Sequence, residues 1–106
     1  MWAAHQGVRN PDVFGVAIPF SCGVCQVAVP DNPTPAVSGR AARFYFLSGR
    51  LEILFHQSTS AAAERLRAAG YEAPMHERVA GHDPLMWHEQ FSDAVRWAFG
   101  PLLFTE

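Results

Sequence analysis

The sequence predicts an α/β fold, about three parallel strands with helices on both faces in a three-layer αβα arrangement. Three observations predict it. Val13 to Pro19 (VFGVAIP) is a short continuous apolar run of the kind shown by a parallel strand buried on both faces. Arg43 to Ser48 (RFYFLS) is a second such run, aromatic and closed by Gly49. A helix and a partly alternating segment, Tyr71 to Val79 (YEAPMHERV), follow it, and strand, helix, strand in that order makes a right-handed crossover unit of a parallel sheet.

Taken in chain order, Trp2 to Val8 suits the last turns of a helix, ended by Asn10-Pro11 because the residue before a proline is pushed out of the helical region. Met1-Trp2-Ala3-Ala4 runs into it with no polar lead-in and no N-cap, which reads as an interior rather than a beginning. After the first strand, in which Gly15 thins the packing, Phe20 to Gly39 collects prolines, glycines and both cysteines and reads as a long loop of the kind that serves a site. Ser58 or Thr59 is the expected cap of an alanine-rich helix through Ala69, and Gly70 supplies its left-handed stop. Pro74 places the third strand toward an edge. Asp83 is the expected N-cap of the final helix, with Pro84 at its first position and Trp87, Phe91, Ala94, Val95 and Ala98 marking one face up to Gly100.

The 106 residues make one domain, residues 1 to 106, with room for one modest core. With 49% hydrophobic and 17% charged residues the composition is that of a folded chain. The formal net charge is −2, and all eight cationic residues are arginines scattered singly from Arg9 to Arg96. That leaves no basic stripe for a phosphate backbone, so no nucleic-acid partner is expected. No apolar stretch has the length of a membrane span and the first residues lack the order of a signal peptide, so the expected location is the cytoplasm, with no membrane partner.

The sharpest local feature is Ala80-Gly81-His82-Asp83-Pro84, which sets a histidine between the C-terminal end of a strand and the next helix. Open α/β sheets place their sites there, and histidine is the side chain best suited to shuttle a proton near neutrality. On position alone, a surface-loop histidine is an equal reading. The run from Ala80 to Gly100 (AGHDPLMWHEQFSDAVRWAFG) resembles the end of the serine-esterase families of α/β-hydrolases, which include enterochelin esterases, esterase D and mycolyltransferase relatives. In these a Gly-His pair precedes a Trp-containing helix. Upstream, Arg9 to Gly15 (RNPDVFG) resembles the segment after the nucleophile helix, Pro19-Phe20-Ser21 the end of the next strand, and Phe44 to Glu52 (FYFLSGRLE) the strand and loop that present the acid.

The resemblance implies that His82 is the general base of a Ser-acid-His triad and that Glu52, thirty residues before it, is the acid, following the chain order of that fold. The same families often use aspartate, and an ordinary loop glutamate is the alternative for Glu52. No G-x-S-x-G nucleophile elbow occurs in the sequence. The implied function is thus the C-terminal part of a serine esterase that holds the histidine, and with Glu52 the acid, but not the serine. It is expected to be inactive alone and to meet an ester substrate only when complemented. The alternative is a small non-catalytic binding or assembly protein pairing through an exposed strand edge, in a homo-oligomer or with another chain.

Cys22-Gly23-Val24-Cys25 has the spacing of a redox pair or half a zinc site, but no second C-x-x-C or H-x-x-x-H completes it, and His76, His82 and His88 lie on different elements. No metal and no cofactor is expected. A cysteine nucleophile after the first strand paired with His82 is the minority alternative. His5, His56, His76 and His88 are given no role, and Trp87 reads as a core or pocket-wall aromatic.

Overall fold

The computed structural model describes residues 2–22, 29–30, 32–33, 35 and 39–103. It is a small α/β mix of three helices and short parallel strands in two two-stranded sheets. In chain order these are α1 (Trp2–Arg9), β1 (Val16–Ala17), β2 (Arg43–Phe44), β3 (Phe46–Gly49), α2 (Ile53–Ala68), β4 (Met75–Arg78) and α3 (Pro84–Leu103).

The two sheets share the segment from Arg43 to Gly49. The N–H groups of Arg43, Tyr45 and Leu47 donate to Gly15, Ala17 and Pro19 on one side. Those of Phe44 and Phe46 donate to Glu72 and Pro74 on the other. β1 pairs with β2 in the register Val16↔Arg43, an isolated parallel bridge links Phe20 to Leu47, and β3 pairs with β4 from Phe46↔Met75 to Gly49↔Arg78. The regular strands are shorter than the apolar runs that announce them. Val13 belongs to a turn in which its N–H and that of Phe14 donate to Asn10, and it is exposed.

Side chains alternate across this segment as a pleated strand requires. Phe44 and Phe46 are fully buried in a core with Ala4 and Val8 of α1, Ala62, Ala63 and Leu66 of α2, and Tyr71. The Phe44 ring meets Tyr71 edge-on at 5.4 Å and lies so close to α1 that a Cβ on Gly7 would sit 2.7 Å from it. Arg43 and Tyr45 instead meet α3. The Arg43 guanidinium stacks 4.1 Å from the centre of the Trp97 ring while its Nε donates to Glu72 at 2.8 Å. Gln90 donates to the Tyr45 hydroxyl at 2.8 Å. Arg78 and Glu89 add an ion pair at 2.7 Å between β4 and α3.

His76 stacks on Tyr45 at 4.2 Å, and its buried Nε2 has no hydrogen-bond partner among the described residues. Desolvation holds its pKa below the ordinary 6.5, opposed in part by the charge of Asp93.

Two helix limits differ from the sequence expectation. α2 begins at Ile53, with Glu52 at the N-cap, and not at Ser58 or Thr59. Thr59 is instead a buried residue within the helix, its hydroxyl accepting the Cys22 N–H at 2.9 Å. A cap-type side chain thus satisfies a backbone group of another segment. α3 continues past Gly100 to Leu103 because Gly100, unlike Gly70 with φ of 103°, does not take the left-handed conformation that stops a helix. On α3, Met86 and Ala94 are buried, whereas Phe91 is exposed rather than on the inner face. Asp83 caps the helix as expected, its carboxylate accepting the Leu85 N–H at 2.9 Å. No helix among the described residues is long and apolar enough to cross a membrane.

The loops after β3 and β4 lie directly against each other. Arg50 and Leu51 donate their N–H groups to the carbonyls of Arg78 and Ala80. Gly49 makes this approach sterically permissible, since a Cβ there would lie 2.1 Å from the Ala80 oxygen. Gly49→Ala is therefore expected to destabilise the protein by about 1–3 kcal/mol, as overpacking against backbone does, read as a lowered urea midpoint. His76→Phe should keep the stacking and remove the unpaired nitrogen. Because the folded pKa of His76 is depressed, its neutral form favours the folded state above pH 6.5 and that contribution is lost as pH falls below it. Denaturation midpoints of the variant should decline less between neutrality and mild acid than those of the parent.

Candidate active site

Three backbone segments end side by side at the C-terminal ends of parallel strands, and each contributes a polar group. Ser21 follows the Phe20 bridge, Glu52 follows β3 after a turn closed by its own N–H on the Gly49 carbonyl at 3.1 Å, and His82 follows β4. The structure thus brings together the two residues named from sequence. His82 Nδ1 and Glu52 Oε1 are 2.5 Å apart.

The Glu52 side chain is fully buried, and its second oxygen is held by three donors. Oε2 accepts the Gly49 N–H at 2.7 Å, the Ser21 hydroxyl at 2.8 Å and the Ser48 hydroxyl at 3.1 Å. Burial alone would raise the pKa of this carboxyl. The opposing hydrogen bonds from Gly49, Ser21, His82 and Ser48 outweigh it and hold the pKa below the ordinary value. Glu52 is accordingly a fixed carboxylate at neutral pH.

Ser21 adopts φ of 50°, the left-handed region that costs a non-glycine residue roughly 1–2 kcal/mol. Its hydroxyl gains two partners there, donating to Glu52 and accepting Trp87 Nε1–H at 3.0 Å. Trp87 also presents its ring to His82 edge-to-face at 4.6 Å, while Phe55, from the first turn of α2, stacks on the imidazole at 4.6 Å. The imidazole is thereby fixed in plane by two aromatics and in direction by the carboxylate. Its side chain is nevertheless 51% exposed, and Nε2 makes no hydrogen bond with a described residue. This leaves one ring nitrogen committed and the other presented to solvent.

Sequence reasoning did not find Ser21, Ser48, Phe55 or the bonding role of Trp87. The one local signal was Ser48-Gly49-x-x-Glu52, a glutamate able to fold back onto the N–H three residues earlier. His56 pairs with Glu77 at 2.6 Å and lies outside the site. Cys22 is buried in the hydrophobic core, which removes it from the role of an open nucleophile, and Cys25 lies outside the described residues. Among the described residues no three His, Cys, Asp or Glu side chains are grouped to hold a metal ion.

Comparisons with known protein families, curated proteins and solved structures find no match for this chain.

The depressed pKa of Glu52 gives a signed prediction. Its ionised form contributes stability in full above about pH 4.5, and that contribution is lost as pH falls through the lower folded value. Glu52→Gln should lower stability at neutral pH and show a shallower loss of stability on acidification, measured as denaturation midpoint against pH. A variant as acid-sensitive as the parent would show that the carboxylate is not held as described.

Proposed function

We propose that this chain supplies the acid and the base of a serine-type carboxylic-ester hydrolase site, as the C-terminal part of an α/β-hydrolase. The observation that carries the reading is the buried, fully hydrogen-bonded Glu52 aligning one nitrogen of His82 while the other nitrogen stays open. A base that must accept a proton from a nucleophile and return it to a leaving group needs that division of its two nitrogens. Convergence at the carboxyl ends of parallel strands supports the reading, as does the order of Glu52 before His82, the acid-then-histidine order of that fold. In this reading α1 and α2 cover one face of the sheet and α3 the other, as the end of a three-layer fold.

The mechanism follows from the geometry. Neutral His82 carries its proton on Nδ1, toward Glu52, so Nε2 is the acceptor. A serine hydroxyl presented at Nε2 would lose its proton there as its oxygen attacks the ester carbonyl. The imidazolium would be stabilised by Glu52 and would then protonate the departing alcohol. Water, activated by the same nitrogen, would release the acid. The serine and the oxyanion-stabilising N–H groups come from a segment other than these residues, since no G-x-S-x-G occurs among them.

A second reading rests on a different observation. All described ladder contacts of β1 lie on one side, and its other edge pairs with no described strand. A protein that assembles with a second copy or another chain through that edge would show it as a dimer or complex in size-exclusion chromatography with light scattering. A monomer counts against it.

The 106-residue chain alone is expected to show no turnover of p-nitrophenyl butyrate. Turnover that His82→Ala abolishes would overturn the assignment of the nucleophile to another segment. Nitrogen-15 spectra of the neutral imidazole should report protonated Nδ1 and bare Nε2 in His82, with the preference weakened in Glu52→Gln. The opposite tautomer would sink the assignment of Nε2 as the base.

A further inference from the structure

Beside His82 the surface opens into a shallow cavity of about 320 Å³ lined by Leu51, Glu52, Ile53, Leu54, Phe55 and His82. Its rim is unusual for the start of a helix. First turns favour acidic or small polar residues that complement the free N–H groups, yet the first turn of α2 has no acidic residue and reads Ile53-Leu54-Phe55. Leu51, Ile53 and Leu54 are 65%, 68% and 76% exposed, a contiguous aliphatic patch left in water. The Glu52 carboxylate does not make this wall polar, because its oxygens are taken up by His82, Ser21, Ser48 and Gly49 and the side chain is inaccessible. Among the described lining residues, the imidazole is thus the accessible polar side chain at the edge of an apolar depression.

We propose that this cavity binds the aliphatic part of the substrate, so that the ester hydrolysed carries a short, uncharged hydrocarbon chain on the side of the scissile bond nearest α2. This rests on the hydrolase reading above and narrows it to a substrate class. The volume lies at the small end of ligand pockets and has room for a short chain. A charged or strongly hydrated group there would be desolvated against Leu51, Ile53 and Leu54 with no side-chain partner. A hydrocarbon instead removes its own surface and theirs from water. The aromatic ring of Phe55 runs from the cavity wall to the face of His82, so a chain lying on it places its carbonyl end beside the imidazole.

The test uses the 106-residue chain and neutral, unreactive probes. Methyl butyrate, methyl hexanoate and methyl octanoate are titrated while proton–nitrogen correlation spectra are recorded. Expected are shifts at the amides of residues 51 to 55 and at the His82 ring. Affinity should rise about fourfold for each added methylene until the cavity is filled. Leu54→Asp, which suits a helix first turn, should weaken binding more than tenfold while leaving the His82 tautomer unchanged. If that variant proves unfolded by circular dichroism, Leu54→Ser serves instead.

Absent shifts, or affinity independent of chain length, would overturn the proposal. So would a concentration-dependent dimer that Leu54→Asp dissolves, since the patch would then be covered by a second copy. Failure of the pocket and failure of the hydrolase reading are separable. Ester binding with the wrong His82 tautomer sinks the chemistry, whereas the expected tautomer without ester binding sinks only the pocket.

Discussion

The carboxylate of Glu52 is the group on which the arrangement of the site depends. A buried charge is tolerated only where its lone pairs are filled, and here they are filled by groups from three separate segments: Ser21 after β1, Ser48 and Gly49 at the end of β3, and His82 after β4. Each donor fixes the position of its segment as well as the charge. Removing the carboxylate would leave two hydroxyls, one N–H and a ring nitrogen to find other partners, which is why the polar cluster acts as a unit. The left-handed backbone of Ser21 belongs to the same account, because in that conformation its hydroxyl donates to Glu52 and accepts from Trp87.

Backbone packing does for the loops what the carboxylate does for the side chains. Gly49 lets the Ala80 carbonyl settle against the β3 turn, and the bonds from Arg50 and Leu51 lock the two loops in register. Thr59 ties the segment after β1 to α2 through the Cys22 N–H. The positions of Ser21, Glu52 and His82 are therefore held by backbone contacts between their segments as well as by the side-chain bonds to the carboxylate. Such preorganisation is what the proton transfer proposed above would require, since a base must be held in place rather than recruited.

How much of this was legible residue by residue follows the range of the forces involved. Gly70 and Asp83-Pro84 announced the end of α2 and the start of α3 because capping and left-handed turns are local effects, complete within a few residues. The start of α2 was hidden because its cap position is a glutamate whose side chain is turned toward His82 instead of toward the helix N–H groups. Thr59 misled for the complementary reason, since a residue type that caps helices was used in a contact 37 positions away. His82 stood out by its place between a strand and a helix, but Trp87, read only as a core or pocket-wall aromatic, and Phe55 of α2 meet its ring through contacts that the local sequence does not carry.

By itself, then, the sequence determined the alternation of parallel strands and helices, the loop that carries His82 and the order in which Glu52 and His82 occur. Those properties depend on hydrophobic periodicity and short-range backbone preference. Only the tertiary structure decided that Glu52 meets Nδ1 and not Nε2, that Ser21 braces both Glu52 and Trp87, and that Leu51, Ile53 and Leu54 line an open hollow instead of a core. Each of these is a contact between segments that lie far apart in the chain or a failure to be covered by one. Such contacts are fixed by the packing of loops against one another, and no local preference encodes it.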